Sequence, residues 1–160
     1  MARSKGTDFT RDIGVDQQFG SSLVQKLINM VMRQGKKNVA RTIVYDAFDV
    51  LMKKSGGNAD KALALFEKAF GNIVPQVEVR SRRVGGGVYQ VPREVNPNRK
   101  QALGLRWLIQ AAAERSNKTM GARLASELLE AVDNKGGAVK KKMDVQRMAE
   151  ANRAFSHYAW

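Results

Sequence analysis

The sequence predicts a mainly α-helical protein: a six-helix bundle with one projecting β-hairpin arm and an extended basic N-terminal arm. Three observations favour this fold. Apolar residues recur at helical spacing in six segments, which are separated by glycine-rich or polar breaks. Between residues 76 and 82 the pattern changes to strict alternation, and three consecutive glycines follow. The chain has 160 residues and neither an internal repeat nor a linker, so residues 1–160 are expected to form one domain.

Helix start and stop signals give the bounds of the predicted helices. Short polar side chains accept hydrogen bonds from the first N–H groups of a helix, and glycine adopts the backbone conformations at which helices end. The predicted caps are Ser21 or Ser22, Asn58, Asn96 followed by Pro97, and Thr119, and the predicted stops are Gly35, Gly71 and residues 135–137. The second helix is expected at about 39–54 and the sixth at about 138–155, and residues 1–20 are predicted to form the extended arm.

The fourth predicted helix is apolar around much of its circumference, which is typical of a central helix. Leu108 is therefore expected to be a core residue, and so is its neighbour Trp107. The side chains of Met30, Met32 and Met148 are also expected to pack in the core.

Residues 76–92 are predicted to form the β-hairpin, inserted between the third and fourth helices. The alternating run forms the first strand, and the short run at 88–91 forms the second. The three glycines between them supply positive φ angles for the turn and favour a bulge. Because side chains alternate along a strand, Arg80 and Arg82 are expected on one face of the hairpin.

The positive charge is large and unevenly distributed. The chain has 28 lysines and arginines against 15 acidic residues, a net charge of +13. The excess lies in residues 1–41, 76–100 and 140–160, whereas residues 42–75 have 4 basic and 4 acidic side chains. A net charge of this size points to a polyanionic partner, and nucleic acid is the leading candidate. We therefore expect the neutral elements to act as a scaffold and the basic segments to meet the polyanion.

Catalysis is difficult to assemble from this composition. There are no cysteines, and the single histidine, His157, lies three residues from the end of the chain. The triple glycine matches neither a phosphate-binding loop nor a dinucleotide fingerprint. Glu114 beside Arg115 and Glu127 near Arg123 have the spacing of ordinary helix-surface pairs. The prediction is a protein that is not an enzyme and needs no metal and no cofactor.

A membrane location is not expected either. No apolar run approaches the roughly 20 residues that span a bilayer, and the first residues lack the apolar stretch of a signal peptide. These features favour an intracellular, cytoplasmic protein.

Residues suited to RNA binding, in contrast, are numerous. Arg82 and Arg83, with Arg80 on the same strand, are suited to phosphates or bases. Tyr89 offers a ring to an unpaired base or, equally, packs across the hairpin. Further candidate RNA-binding residues are Lys36 and Lys37 beside Arg41; Arg99, Lys100 and Arg106 on the fourth helix; Lys118 in the loop before the fifth helix; and Lys140, Lys141 and Lys142 at the start of the sixth helix.

Several of these segments together resemble a known family. The motifs are Ser81-Arg82-Arg83-Val84-Gly85-Gly86 followed by Tyr89-Gln90-Val91-Pro92, Leu-Gly-Leu-Arg-Trp at 103–107, Lys118-Thr119-Met120, Ala138-Val139-Lys140-Lys141, Arg147-Met148-Ala149-Glu150-Ala151-Asn152, and the closing His157-Tyr158. Over essentially its whole length the chain closely resembles the bacterial and organellar form of the small-subunit ribosomal protein S-seven family.

The resemblance implies a helical bundle with a hairpin arm and direct binding to the 3′ major domain of small-subunit rRNA, where it nucleates assembly of the subunit head. It implies a hairpin near the exit-site tRNA and mRNA, the eleventh small-subunit protein as a neighbour, and a ribosome in the cytoplasm or inside an organelle. The rRNA contacts that it implies are Arg3, Lys5, Arg11, Lys36, Lys37, Arg80, Arg82, Arg83, Arg99 and Lys100.

Two other classes of function compete with this reading. A basic nuclease or modifying enzyme would need the acid–base pair or metal cluster that the sequence lacks. A non-specific, basic nucleic-acid-compacting protein would use the same charges without recognising one RNA. Asp8, Asp12 and Asp16 reduce the positive charge of the N-terminal arm in either case.

Overall fold

The computed structural model describes residues 12–158 and has the predicted mainly helical fold in this range. The elements in chain order are α1 (Ser22–Val31), α2 (Lys37–Lys54), α3 (Ala59–Ile73), β1 (Val77–Val84), β2 (Gly87–Glu94), α4 (Pro97–Glu114), α5 (Met120–Val132) and α6 (Gly137–Ala151). A short 3₁₀-helix, Arg153–Tyr158, follows α6, and we call it the C-terminal turn. The prediction of six helices and one hairpin is confirmed.

Several helix bounds differ from those predicted. α1 ends at Val31, before the predicted stop at Gly35, and α2 begins at Lys37, two residues earlier than predicted. α3 continues past Gly71 to Ile73, because the fully buried Ile73 side chain outweighs the cost of a glycine inside a helix, about 1 kcal/mol. α6 ends at Ala151, where the chain tightens into the C-terminal turn.

Two of the predicted caps form side-chain hydrogen bonds. The side-chain oxygen of Asn58 accepts from the backbone N–H groups of Asp60 and Lys61, at 2.9 and 3.4 Å. Thr119 Oγ1 accepts from the N–H of Ala122 at 3.3 Å. Asn96 occupies the N-cap position of α4 without such a bond, and the proline after it begins the helix.

The core lies between the helices. Leu108 is fully buried, as predicted, but α4 shares the centre with α3 and α5, since each of the three packs against four other helices. Trp107 is only partly buried. Met30 and Met148 are 36% and 46% exposed, so their prediction as core residues is wrong. The helical period explains the error for Met30, which lies about 200° around α1 from the buried Ile28.

Within the predicted extended arm, residues 12–15 are exposed, whereas residues 16–20 dock onto the bundle. The Asp16 carboxylate is buried and accepts a hydrogen bond from the Tyr45 hydroxyl at 2.8 Å. The ring of Phe19 packs 4.4 Å from that of Phe48 in the core. Burial raises the pKa of the Tyr45 phenol, and the hydrogen bond to Asp16 raises it further. Asp16 therefore anchors the chain, in addition to reducing its positive charge.

The hairpin is regular along its whole length. β1 and β2 pair antiparallel, from Val77 opposite Glu94 to Val84 opposite Gly87, so the predicted bulge is absent from this pairing. Gly85 and Gly86 make a two-residue turn with φ angles of 56° and 88°, the conformation that a type I′ turn requires. β2 runs two residues further than predicted and includes a proline, which a two-stranded sheet tolerates because both of its strands are edges.

Within residues 12–158, none of the helices combines the length and the apolar character needed to cross a membrane.

Candidate nucleic-acid interface

A buried carboxylate holds two of the candidate arginines at the base of the hairpin. Glu78 Oε1 accepts from Arg80 Nε at 2.6 Å, and Glu78 Oε2 accepts from Arg99 Nε at 2.7 Å. The Glu78 side chain is 10% exposed, whereas those of Arg80 and Arg99 are 49% and 48% exposed. A guanidinium has five N–H donors, and each of these bonds uses only the one on Nε. The pair is therefore fixed in position and still faces solvent.

This arrangement also joins two elements that are distant in sequence. Arg80 lies on β1 and Arg99 in the first turn of α4, beside the partly buried Lys100. Sequence reasoning missed Glu78, although the signal was present: Glu78 and Arg80 are two residues apart on a strand and so share a face. We call Glu78, Arg80, Arg99 and Lys100 the hairpin-base cluster.

Further along the hairpin, Arg82 and Tyr89 are directly opposite each other and both contact the C-terminal turn. The Tyr89 ring lies 5.0 Å from that of Phe155 and 5.7 Å from that of Tyr158. Arg82 Nη1 donates to the backbone carbonyl of Tyr158 at 3.2 Å. The Tyr89 ring therefore packs against the C-terminal turn, and not across the hairpin as the packing alternative predicts. Stacking of a base on the same ring stays a prediction.

The glycine that follows the turn, Gly87, lies close to the Tyr89 ring. A Cβ atom on Gly87 would come within 3.0 Å of the Tyr89 ring. Arg83 and Val88 are opposite each other on the other face of the hairpin, and both are exposed. Arg83 is therefore exposed on the face of the hairpin that does not contact the C-terminal turn.

A second group of candidates surrounds the start of α2. Lys36 and Lys37 are exposed at the N-terminal end of the helix, where the helix dipole already favours anions, and Arg41 is partly buried one turn later. The backbone at Gly121 approaches α2 closely, because a Cβ there would lie 2.8 Å from the Cβ of Asp46. Lys118 is exposed three residues before Gly121, so its loop leads into this contact with the middle of α2. We call Lys36, Lys37, Arg41 and Lys118 the second-helix cluster.

The hairpin-base cluster and Lys118 lie at opposite ends of α4. This helix has 18 residues, which corresponds to about 27 Å. Arg99 lies in its first turn and Lys118 beyond its last, while Arg106 is exposed between them. An extended polyanion, and not one small anion, fits this spacing.

The three lysines of α6 have different surroundings. Lys140 and Lys141 are exposed. Lys142 Nζ donates to the carbonyl of Asn72 at 2.9 Å, close to the C-terminal end of α3. A cation stabilises this end of a helix, so Lys142 has a structural contact in addition to its predicted role.

Comparisons with known proteins identify the family. The model of ribosomal protein S7p/S5e matches residues 3–153. The chain is 53% identical over 156 residues to the small ribosomal subunit protein uS7 of Ruminiclostridium cellulolyticum, with 98% of each chain covered. It is 57% and 56% identical over 150 residues to the proteins of the same name from Pseudoalteromonas translucida and Bradyrhizobium sp., with 94% of each chain covered. The chain belongs to the ribosomal protein S7p/S5e family.

Membership of the S7p/S5e family confirms the resemblance inferred from the motifs. It also agrees with the prediction of a protein that is not an enzyme, since the family is a structural, non-enzymatic component of the ribosome. The candidates Arg3, Lys5 and Arg11 lie outside the residues that the structure describes.

One acidic residue of this S7p/S5e chain, Glu127, has a structural role inside the bundle. Glu127, predicted as a surface partner of Arg123, is 1% exposed, and its Oε2 accepts from Arg115 Nε at 2.6 Å. That prediction is wrong, because Arg123 instead donates to the carbonyl of Asn117. Glu127 Oε1 accepts from the N–H of Ala138 at 2.8 Å and so fixes the start of α6.

Arg115 is also bound by a second carboxylate. Its Nη1 donates to Glu130 Oε1 at 2.8 Å. This hydrogen bond is the main reason why the pKa of Arg115 is raised above its usual range and that of Glu130 is lowered. Arg115 is therefore committed to the bundle, and it differs in this respect from the arginines of the hairpin.

The described part of this S7p/S5e fold lacks a group of side chains suited to metal binding. Residues 12–158 contain no cluster of three or more histidine, cysteine, aspartate or glutamate side chains that could hold a metal ion. His157 is exposed, with its ring 4.0 Å from that of Tyr158. The arrangement offers positioned positive charge, which suits binding.

Proposed function

We propose that this protein is a structural constituent of the small ribosomal subunit that binds the 3′ major domain of small-subunit rRNA and nucleates assembly of the subunit head. The relatives' name, small ribosomal subunit protein uS7, supports the subunit. The main support for RNA binding is the hairpin-base cluster, because Glu78 holds two half-exposed guanidinium groups at a fixed separation. Prepositioned arginines bind phosphates with little loss of side-chain entropy.

The proposed interface uses both clusters. The hairpin-base cluster with Arg83 would hold one RNA segment, and the second-helix cluster with Arg106 would hold another. Lys140 and Lys141 add charge on α6, and Arg3, Lys5 and Arg11 would extend the interface from the N-terminal arm. Neutralising phosphates at both ends of α4, about 27 Å apart, would hold converging RNA helices together.

The surroundings of this interface complete the proposal. The hairpin would lie near the exit-site tRNA and mRNA, with the eleventh small-subunit protein as a neighbour. The protein would act on ribosomes in the cytoplasm or, for an organellar chain, in the organelle interior.

Binding to a transcript of the 3′ major domain tests this proposal. The purified chain should bind the transcript at physiological salt and resist an unrelated structured RNA as competitor. Log K should fall with log salt by about 0.7–0.9 for each phosphate contacted. Equal loss of binding to any RNA, or equal affinity for duplex DNA, would instead indicate the non-specific nucleic-acid-compacting protein.

Two single variants identify the contribution of the hairpin. Arg83→Ala should weaken binding about tenfold, because a hydrogen bond to a charged group contributes about 1.5 kcal/mol or more. Lys54→Ala removes the same charge from an exposed position at the end of α2 and serves as the control. The two variants should bind equally if total charge alone determines affinity.

A further inference from the structure

Besides the contact of Glu78 with Arg99 of α4, the hairpin meets the bundle at α6 and at the residues that follow it. β1 packs against α6, whereas β2 packs against both α6 and the C-terminal turn. At the base of the hairpin, an open groove lies between the strands and α6, with Val77 and Pro92 on one side and Ala149 and Arg153 on the other. Arg153 and Ser156 belong to the C-terminal turn, so the turn borders this groove.

The contact of the hairpin with the C-terminal turn consists of three rings and one hydrogen bond. Phe155 and Tyr158 are three residues apart, so the 3₁₀ conformation places them on the same side of the turn. Their ring planes are within 11° of parallel at 6.4 Å, and Tyr89 packs against both. The hydrogen bond from Arg82 to the Tyr158 carbonyl lies beside them, because Arg82 is opposite Tyr89 in the sheet.

We propose that the C-terminal turn is a strap that fixes the orientation of the hairpin before RNA binds, with Phe155 and Tyr158 as positioning residues. This inference rests on the proposed RNA-binding function. If only a fraction of the molecules has the hairpin in the binding orientation, the apparent Kd for RNA equals the intrinsic Kd divided by that fraction. The strap lowers this cost, and it holds Arg82 and Tyr89 in their relative positions.

Hydrogen exchange of the free protein tests the strap without RNA. In Phe155→Ala/Tyr158→Ala, the amides of β1 and β2 should exchange about tenfold faster, because the variant loses the aromatic contacts between Tyr89 and the C-terminal turn. The buried helices α2 and α5 should exchange as before. Tyr158→Phe keeps the ring and the backbone carbonyl, so it should behave as the unaltered protein does.

The same variants are then tested for binding to the 3′ major domain transcript. The double variant should bind about three- to tenfold more weakly, and Tyr158→Phe should bind normally. Tyr89→Ala removes the contact from the hairpin side and should reproduce the faster strand exchange.

The possible results separate the two proposals. Unchanged strand exchange in the double variant would overturn the strap, and so would faster exchange throughout the bundle, which would give the turn a general stabilising role. A loosened hairpin with unchanged RNA affinity would overturn the positioning role. If the unaltered protein fails to prefer the transcript, the proposed function fails, while the exchange data still decide whether the strap exists.

Discussion

Two buried glutamates, Glu127 in the bundle and Glu78 at the base of the hairpin, bind arginines with different exposure. The arginine bound by Glu127, Arg115, has a side chain that is 19% exposed. The arginines bound by Glu78 are about half exposed. The same glutamate–arginine ion pair thus has two outcomes. In the bundle the arginine holds helices together, whereas at the hairpin the arginines are held in position and remain accessible to solvent. Exposure of the cation, and not the presence of an ion pair, distinguishes the two roles.

Breaking the Glu127 contact should have the largest effect. Glu127→Ala should reduce the free energy of unfolding by about 3–5 kcal/mol, because it leaves the Arg115 charge and the Ala138 N–H without their buried acceptor. Denaturant unfolding measures this change. Glu130→Ala removes the exposed partner of the same arginine and should cost less than about 1 kcal/mol. Similar losses in the two variants would contradict the distinction between the buried and the exposed carboxylate.

A truncation in the apolar core gives a reference value for the loss expected in Glu127→Ala. Leu108→Ala should reduce the free energy of unfolding by about 2–5 kcal/mol, as is usual for truncation of a fully buried leucine. Thermal and denaturant unfolding measure the change. A loss below about 0.5 kcal/mol would be inconsistent with close packing at the centre of the bundle.

Breaking the Glu78 contact should affect RNA binding more clearly than stability. Glu78→Gln keeps the shape of the side chain but removes its charge, and it should cost roughly 1–3 kcal/mol of stability. It makes the protein more positive, so an effect of charge alone would strengthen RNA binding. We expect weaker binding to the transcript instead, because Arg80 and Arg99 lose their common anchor.

Glu94→Gln provides the matched control on the same hairpin. Glu94 is exposed at the end of β2, and its replacement removes the same charge. Its RNA affinity should stay the same or rise slightly. Weaker binding in both variants would argue against positioning by Glu78.

The sequence predicted the helices, the hairpin and the family because these depend on local patterns. Helical spacing, an N-cap residue such as Thr119 and the glycines of the turn are all visible within a few neighbouring residues. The uneven distribution of lysine and arginine along the chain showed the positive segments equally well. What these patterns could not supply is the partner of each charged group, since Arg99 meets Glu78 across 21 residues of sequence and Lys142 meets Asn72 across 70.

The errors have the same origin. Glu127 has the spacing of a surface pair with Arg123, and only the close approach of α6 buries it and turns it towards Arg115 and Ala138. Tyr89 has two readings in the sequence because its packing partners lie more than 60 residues away, in a turn whose 3₁₀ form was not predicted.

The smallest predicted effect is a pH dependence, which distinguishes the contributions of Glu127 and Glu130 to the binding of Arg115. The hydrogen bond from Arg115 holds the pKa of Glu130 below its ordinary value of 4.5. A carboxyl whose pKa is lower in the folded state contributes stability above its unfolded pKa, and this contribution is lost as the pH falls through the folded pKa. The free energy of unfolding of Glu130→Gln should therefore fall less than that of the unaltered protein between about pH 6 and pH 3, by less than about 1 kcal/mol because Glu130 is half exposed. Denaturant unfolding across this pH range measures the difference. Identical pH profiles would mean that solvent screens this ion pair completely, and that the Glu127 contact alone binds Arg115 to the bundle.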